Sequence, residues 1–207
     1  MVDTDSSNRP DLRPVIAICV WNPSYPTWDL VEDLSGEPWS PPGARTQPIS
    51  GDADGEALAE RLIAALKARN CGALLLIGRT IHSGDFRLQM RAENRRLDGS
   101  GRLDETGPGV ARVTAPIAEM SRELTAAGLS VLAASDAEDD QGSYILYRVL
   151  ADLPDSLNSP SIGLLRIPDE ATEDAVRTAI KTTASAMARH LTPVSYTHLR
   201  AHETSLH

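Results

Sequence analysis

Two uninterrupted apolar runs, VIAICVW (residues 15–21) and GALLLIG (72–78), constrain this chain more than any other feature in it. A strand with one wet face alternates apolar and polar residues, whereas a run without alternation is covered on both faces. Covering both faces requires helices, and the intervening segments supply them. Residues 52–70 carry Leu58, Leu62, Ile63 and Leu66 in helical phase, with Asp52 or Asp54 as N-cap. Residues 114–128 have Thr114 as cap, Pro116 in the first turn and Gly128 as stop. Further strands are expected at 45–50, 129–135 and 161–168, and further helices at 27–34 (capped by Thr27), 142–153 and 169–191. The last helix opens with acidic residues and closes with Arg189 and His190, as the helix dipole favours. Residues 79–111 read as irregular, with room for one strand in 86–94. The alternation predicts a three-layer α/β/α sandwich with a largely parallel central sheet, as one domain over 15–193 behind a disordered lead at 1–14.

Aromatic residues make up only 4% of the chain, so Ala, Leu, Ile and Val must fill the core. A net charge of −9 argues against nucleic-acid or anionic-membrane partners, because phosphate repels such a surface. The two cysteines, Cys19 and Cys71, each adjoin an apolar run and read as small buried hydrophobes rather than ligands or nucleophiles. Without a signal-like h-region or an apolar run of about 20 residues, a cytoplasmic location is expected. No cofactor is expected.

In an open α/β sheet, ligands meet the loops at the carboxyl ends of the strands. Those loops are NPSYP (22–26), RTIHSGD (79–85), DAEDDQGS (136–143) and DE (169–170). Four segments around them, in order, resemble the pyroglutamyl-peptidase I family. YPTWDLVEDLSG (25–36) is similar to its Asn-Pro-Ser-Trp helix start. LLIGRTIHSGDFRLQMRAEN (75–94) is similar to the strand and loop of its Pro-Glu-Arg…Asn motif. VTAPIAEMSRELTAAGLSVLAASDAEDDQGSYILYRVL (113–150) resembles its helix, strand and nucleophile helix without a gap, and SIGLLRIPDEA (161–171) the strand bearing its histidine.

The resemblance implies a cysteine hydrolase that removes an N-terminal pyroglutamyl group, by a thiolate at a helix N-terminus, an imidazole base and an orienting carboxylate. At the matching positions this chain has Gly142 for the cysteine, Arg166 for the histidine and Gln89 for the glutamate. Glycine has no nucleophile, glutamine no charge, and arginine cannot act as a base. Trp21, Arg79 and Asn94 are the substrate-side candidates, Trp21 standing for the aromatic wall of a shortened first loop. The implied role is a catalytically degenerate protein that binds a peptide, a small molecule or a partner protein, with homo-oligomers common in the family.

Other readings compete. Ser143, His82 and Asp139 or Asp140 have the composition of a displaced triad, although serine at a helix start also serves as a cap. Asp136, Glu138, Asp139 and Asp140 offer oxygen ligands to a divalent cation, but their spacing matches no calcium loop, and a solvated acidic turn is expected instead. Arg166 and Arg79 would suit an anion; an ion pair of Arg166 with Asp139 or Asp140 is the expected alternative. Finally, His198 and His202 have the i, i+4 spacing of a zinc helix. Yet VSYTHLRAHET (194–204) reads as the translation of a transposase-type sequencing adapter. Residues 194–207 are therefore expected to lie outside the evolved domain, and no metal site is assigned.

Overall fold

A computed structural model describes residues 11–22, 38–68, 71–153 and 159–191. The anticipated helix at 27–34 and the histidine-bearing tail lie outside those residues. Among the described residues there are eight strands and four helices. The six-stranded sheet comprises β1 (Val15–Val20), β2 (Arg45–Ile49), β3 (Cys71–Arg79), β4 (Phe86–Gln89), β7 (Val131–Ala134) and β8 (Ser161–Ile167), in the order β2-β1-β3-β8-β4-β7. β5 (Arg91–Glu93) and β6 (Val110–Arg112) form a separate antiparallel pair. The helices are α1 (Gly55–Lys67), α2 (Ile117–Ala126), α3 (Gln141–Ala151) and α4 (Glu173–Leu191).

The strand periodicity of two sorts the core into two layers. Ile16, Ile18, Leu75, Ile77, Leu165 and Ile167 face α2 and α4. Ala17, Cys19, Leu74, Leu76, Ile162 and Leu164 face α1 and α3. The result is the expected α/β/α sandwich.

One joint of this largely parallel sheet is antiparallel. β4 pairs antiparallel with β8, with Arg87 opposite Arg166 and Gln89 opposite Leu164. Only residues 80–85 separate β3 from β4. A parallel return needs a crossover of a dozen or more residues, so β4 must come back reversed. β7, parallel to β4, is reversed with it. The loop after β7 then doubles back towards the carboxyl end of β8, where Asp136 reaches Arg87 and Asp140 reaches Arg166.

Local corrections follow the same logic of available partners. The single strand anticipated in 86–94 divides at Met90 between two sheets. Thr114 does not cap α2. Its hydroxyl donates to the Pro160 carbonyl at 2.6 Å and accepts from the Ile162 N–H at 2.8 Å, while Pro116 occupies the cap position. Asp54 caps α1, accepting from the N–H groups of Glu56 and Ala57. Asp140, not Ser143, caps α3, accepting the Ser143 N–H at 2.9 Å. Gly128, at φ +81°, ends α2 in the left-handed conformation that glycine adopts without strain.

Candidate functional site

The period that places Cys19, Leu76 and Leu164 on the α1/α3 face places Trp21, Gly78 and Arg166 one step further along it. The antiparallel β4 adds Arg87 and Gln89 to that face, and the first turn of α3 brings Gly142 and Ser143 over them. Gln89, Gly142 and Arg166, the three positions that the sequence resemblance singled out, thus meet, and a polar cluster joins two of them.

Arg166, 1% exposed, is its centre. Nε donates to Gln89 Oε1 at 2.7 Å. Nη1 donates to Asp140 Oδ2 at 2.7 Å and to the Arg79 carbonyl at 3.1 Å. Nη2 donates to Asp140 Oδ1 at 2.8 Å and to Ser143 Oγ at 3.0 Å. These five bonds use the full set of guanidinium N–H donors, and the bidentate grip on Asp140 is the strong geometry for such a pair. Of the two aspartates considered as partners, Asp140 takes the role. Asp139 lies 3.5 Å from Arg95 instead.

Gln89 requires its neutral amide. Its oxygen accepts from Arg166, while its nitrogen donates to the Arg91 carbonyl at 2.8 Å and to Ser143 Oγ at 3.1 Å. A carboxylate there would set oxygen against the Arg91 carbonyl oxygen. Beside them, the buried Glu138 accepts from the Thr80 hydroxyl at 2.5 Å and the Ile81 N–H at 3.0 Å, with Arg166 3.5 Å and Arg87 3.7 Å away. Arg87 also binds both oxygens of Asp136. Two buried guanidiniums are therefore balanced by Glu138, Asp140 and Asp136. These acids serve the arginines, and among the described residues no group of His, Cys, Asp and Glu is arranged to hold a metal ion.

Above the cluster lies Trp21, 2% exposed, with the Arg166 guanidinium carbon 5.3 Å from its ring centroid, a cation–π distance. Its ring occupies the volume that side chains at 78 and 142 would need. A Cβ on Gly142 would fall 2.9 Å from Trp21, and one on Gly78 only 1.6 Å from it. What remains above Ser143 is a cavity of about 20 Å³, bordered by Arg95, Asp139 and Tyr144. That is room for about one water.

The remaining candidates go elsewhere. His82 Nε2 lies 3.9 Å from Asp136, not beside Ser143, and its side chain is half-exposed. Arg79 donates to the Pro168 carbonyl at 3.0 Å and lies 3.7 Å from Asp169. Asn94 binds the backbone of Leu103 and Asp104 through three hydrogen bonds, closing the 95–104 excursion. Neither thiol is activated. Burial pushes Cys19 up to about 12 and also raises Cys71, which is only partly buried.

Sequence reading missed Trp21 as a space-filling residue, and Arg87 and Glu138 as members of the cluster. One signal was present: the period of two through each apolar run pairs Trp21 with Gly78.

No family model and no curated protein matches the chain. Solved structures do. Pyroglutamyl peptidase I from Bacillus amyloliquefaciens aligns with a TM-score of 0.69 at 14% identity, over 85% of this chain and 95% of that one. Pyrrolidone carboxyl peptidase from Thermus thermophilus aligns at 0.65 and 17%, over 83% and 98%. The Thermococcus litoralis enzyme aligns at 0.64 and 12%, over 86% and 94%. No described helix is long and apolar enough to cross a membrane. The chain has the fold of the pyroglutamyl (pyrrolidone carboxyl) peptidases.

Proposed function

We propose that this chain is a catalytically silent variation on the pyroglutamyl-peptidase fold, acting by binding a ligand or partner rather than by cleaving N-terminal pyroglutamate. The observation that carries the reading is the closure of the Arg166 cluster. All five guanidinium donors are engaged within the chain. Trp21 fills the space beside Gly142, so no donor and no volume are left for an acyl group. Attack on an amide needs a nucleophile beside a base, and an arginine at the base position stays protonated.

The competing reading, a hydrolase using Ser143, lacks support of that kind. Ser143 Oγ accepts from Arg166 and Gln89, both of which stabilise the hydroxyl as an acceptor, and His82 faces Asp136. The test is a chromogenic pyroglutamyl amide assay on chromatographically pure protein. Release at the buffer rate is expected, and turnover that co-elutes with the folded chain would overturn the proposal. A fluorophosphonate probe addresses the competitor: wild-type protein should stay unlabelled, and labelling lost in Ser143→Ala would establish a serine hydrolase.

A further inference from the structure

We propose that the face formed by β5, β6 and the residue following β7 is a docking groove for an extended peptide segment of a partner protein, one carrying carboxylate side chains flanked by apolar ones. The groove is separate from the Arg166 cluster, and its occupancy does not depend on whether that cluster is silent.

The starting point is a pairing that costs free energy in isolation. The register of the β5–β6 pair sets Arg91 directly opposite Arg112. Like charges at opposed positions of an antiparallel pair repel, and a sheet of two short strands has little to offset that. Glu93, 3.6 Å from Arg91, answers part of one charge. Arg112 forms no ion pair among the described residues. The Nε of Arg91 is shielded from solvent and has no hydrogen-bond acceptor among the described residues. A shielded, unsatisfied cationic donor beside a second unpaired guanidinium is a site that an anionic group would complete.

The surroundings choose between a small anion and a peptide. Both arginines line a groove of about 480 Å³ whose other walls are Met90, Val110, Val113 and Ile117, with Val110 41% exposed. A small anion would leave these apolar walls wet; a peptide would cover them while presenting a carboxylate to the arginines.

The sheet margin supports the same occupant. β7 has β4 as its one neighbour among the described residues, and Ser135, which follows β7, lines the groove. The β7 sequence VLAA holds no proline and no charge, and Leu132 is exposed. The opposite margin, β2, is blunted by Pro48 and Arg45. An unblunted margin is the template used when an extended peptide adds a strand.

The test is an array of immobilised random hexapeptides probed with the full chain, followed by fluorescence anisotropy on a labelled copy of the strongest binder. Enrichment of Asp or Glu flanked by apolar residues is expected. Affinity for the labelled peptide should fall at least about tenfold in Arg112→Glu and in Arg91→Gln, each with a melting temperature no lower than that of the wild type, since either change relieves the opposed charges. Three results would overturn the proposal: no acidic enrichment on the array, affinity unchanged in both variants, or displacement by succinate at the same concentration as by free peptide. The last would reassign the groove to a small anion. None of these readouts involves turnover, so their failure leaves the reading of the Arg166 cluster untouched.

Discussion

Arg166 is a charge turned into a structural centre. Its charge is buried, and the cost of burial is offset by Asp140, Glu138 and a full set of acceptors. Removing one member of such a set leaves the rest uncompensated. Arg166→Ala should therefore cost roughly 3–5 kcal/mol in chemical denaturation, and a denaturation midpoint equal to the wild type would contradict the assignment. Gly142 is fixed by a different force. A methyl group there would press against the Trp21 ring at 2.9–3.0 Å, and the ring is itself packed against Gly78. Gly142→Ala should destabilise by about 1–3 kcal/mol. Combined with a smaller residue at 21, its additional cost should shrink, a coupling that a double-mutant cycle measures directly. The identities at 89, 142 and 166 were legible in the sequence. That they join Trp21 in one closed cluster was not, because residues from two strands, a helix start and the loop after β1 meet only through the tertiary fold.

At the level of the elements, the two runs of unbroken apolar residues located β1 and β3 and helical phase located α1, because burial imposes those patterns directly, while α2 and α4 were marked by the residues at their ends. β6 escaped notice, and β5 was merged with β4 in one anticipated strand, because three-residue strands carry too few residues to show a period. The reversal of β4 was within reach of chain-length reasoning once β4 was placed beside β8, since six residues cannot span a crossover. The start of α3 carries two roles in one carboxylate: Asp140 caps the helix and grips Arg166. Substitution separates them. Asn caps about as well as Asp but carries no charge. Asp140→Ala should thus cost about 3 kcal/mol, with Asp140→Asn falling between it and the wild type. Equal losses in the two variants would mean that the ion pair alone matters, which unfolding curves at matched ionic strength can establish.

Across the molecule, desolvated thiols and phenols set the response to alkali, with Cys19, Cys71, Tyr144 and Tyr147 all raised. Burial pushes Cys19 up to about 12, and burial together with the neighbouring Glu56 carboxylate pushes Tyr144 to about 12. In the unfolded chain the same groups lose their protons near 9 and 10, so above about pH 9 the unfolded state binds fewer protons than the folded one. Stability must then fall as pH rises from about 9 towards 12, and be unaffected by these groups below that window. Melting temperatures recorded from pH 7 to 11 should decline only in the upper part, and less steeply in Cys19→Ala. The wedging of Trp21 between Gly78 and Gly142 has a consequence for redesign as well as for stability. A thiol or hydroxyl installed at 142 would meet the indole before it met any ligand. Placing a nucleophile there therefore requires a smaller residue at 21 in the same variant. The indole acts as a latch that no single substitution at 142 can open.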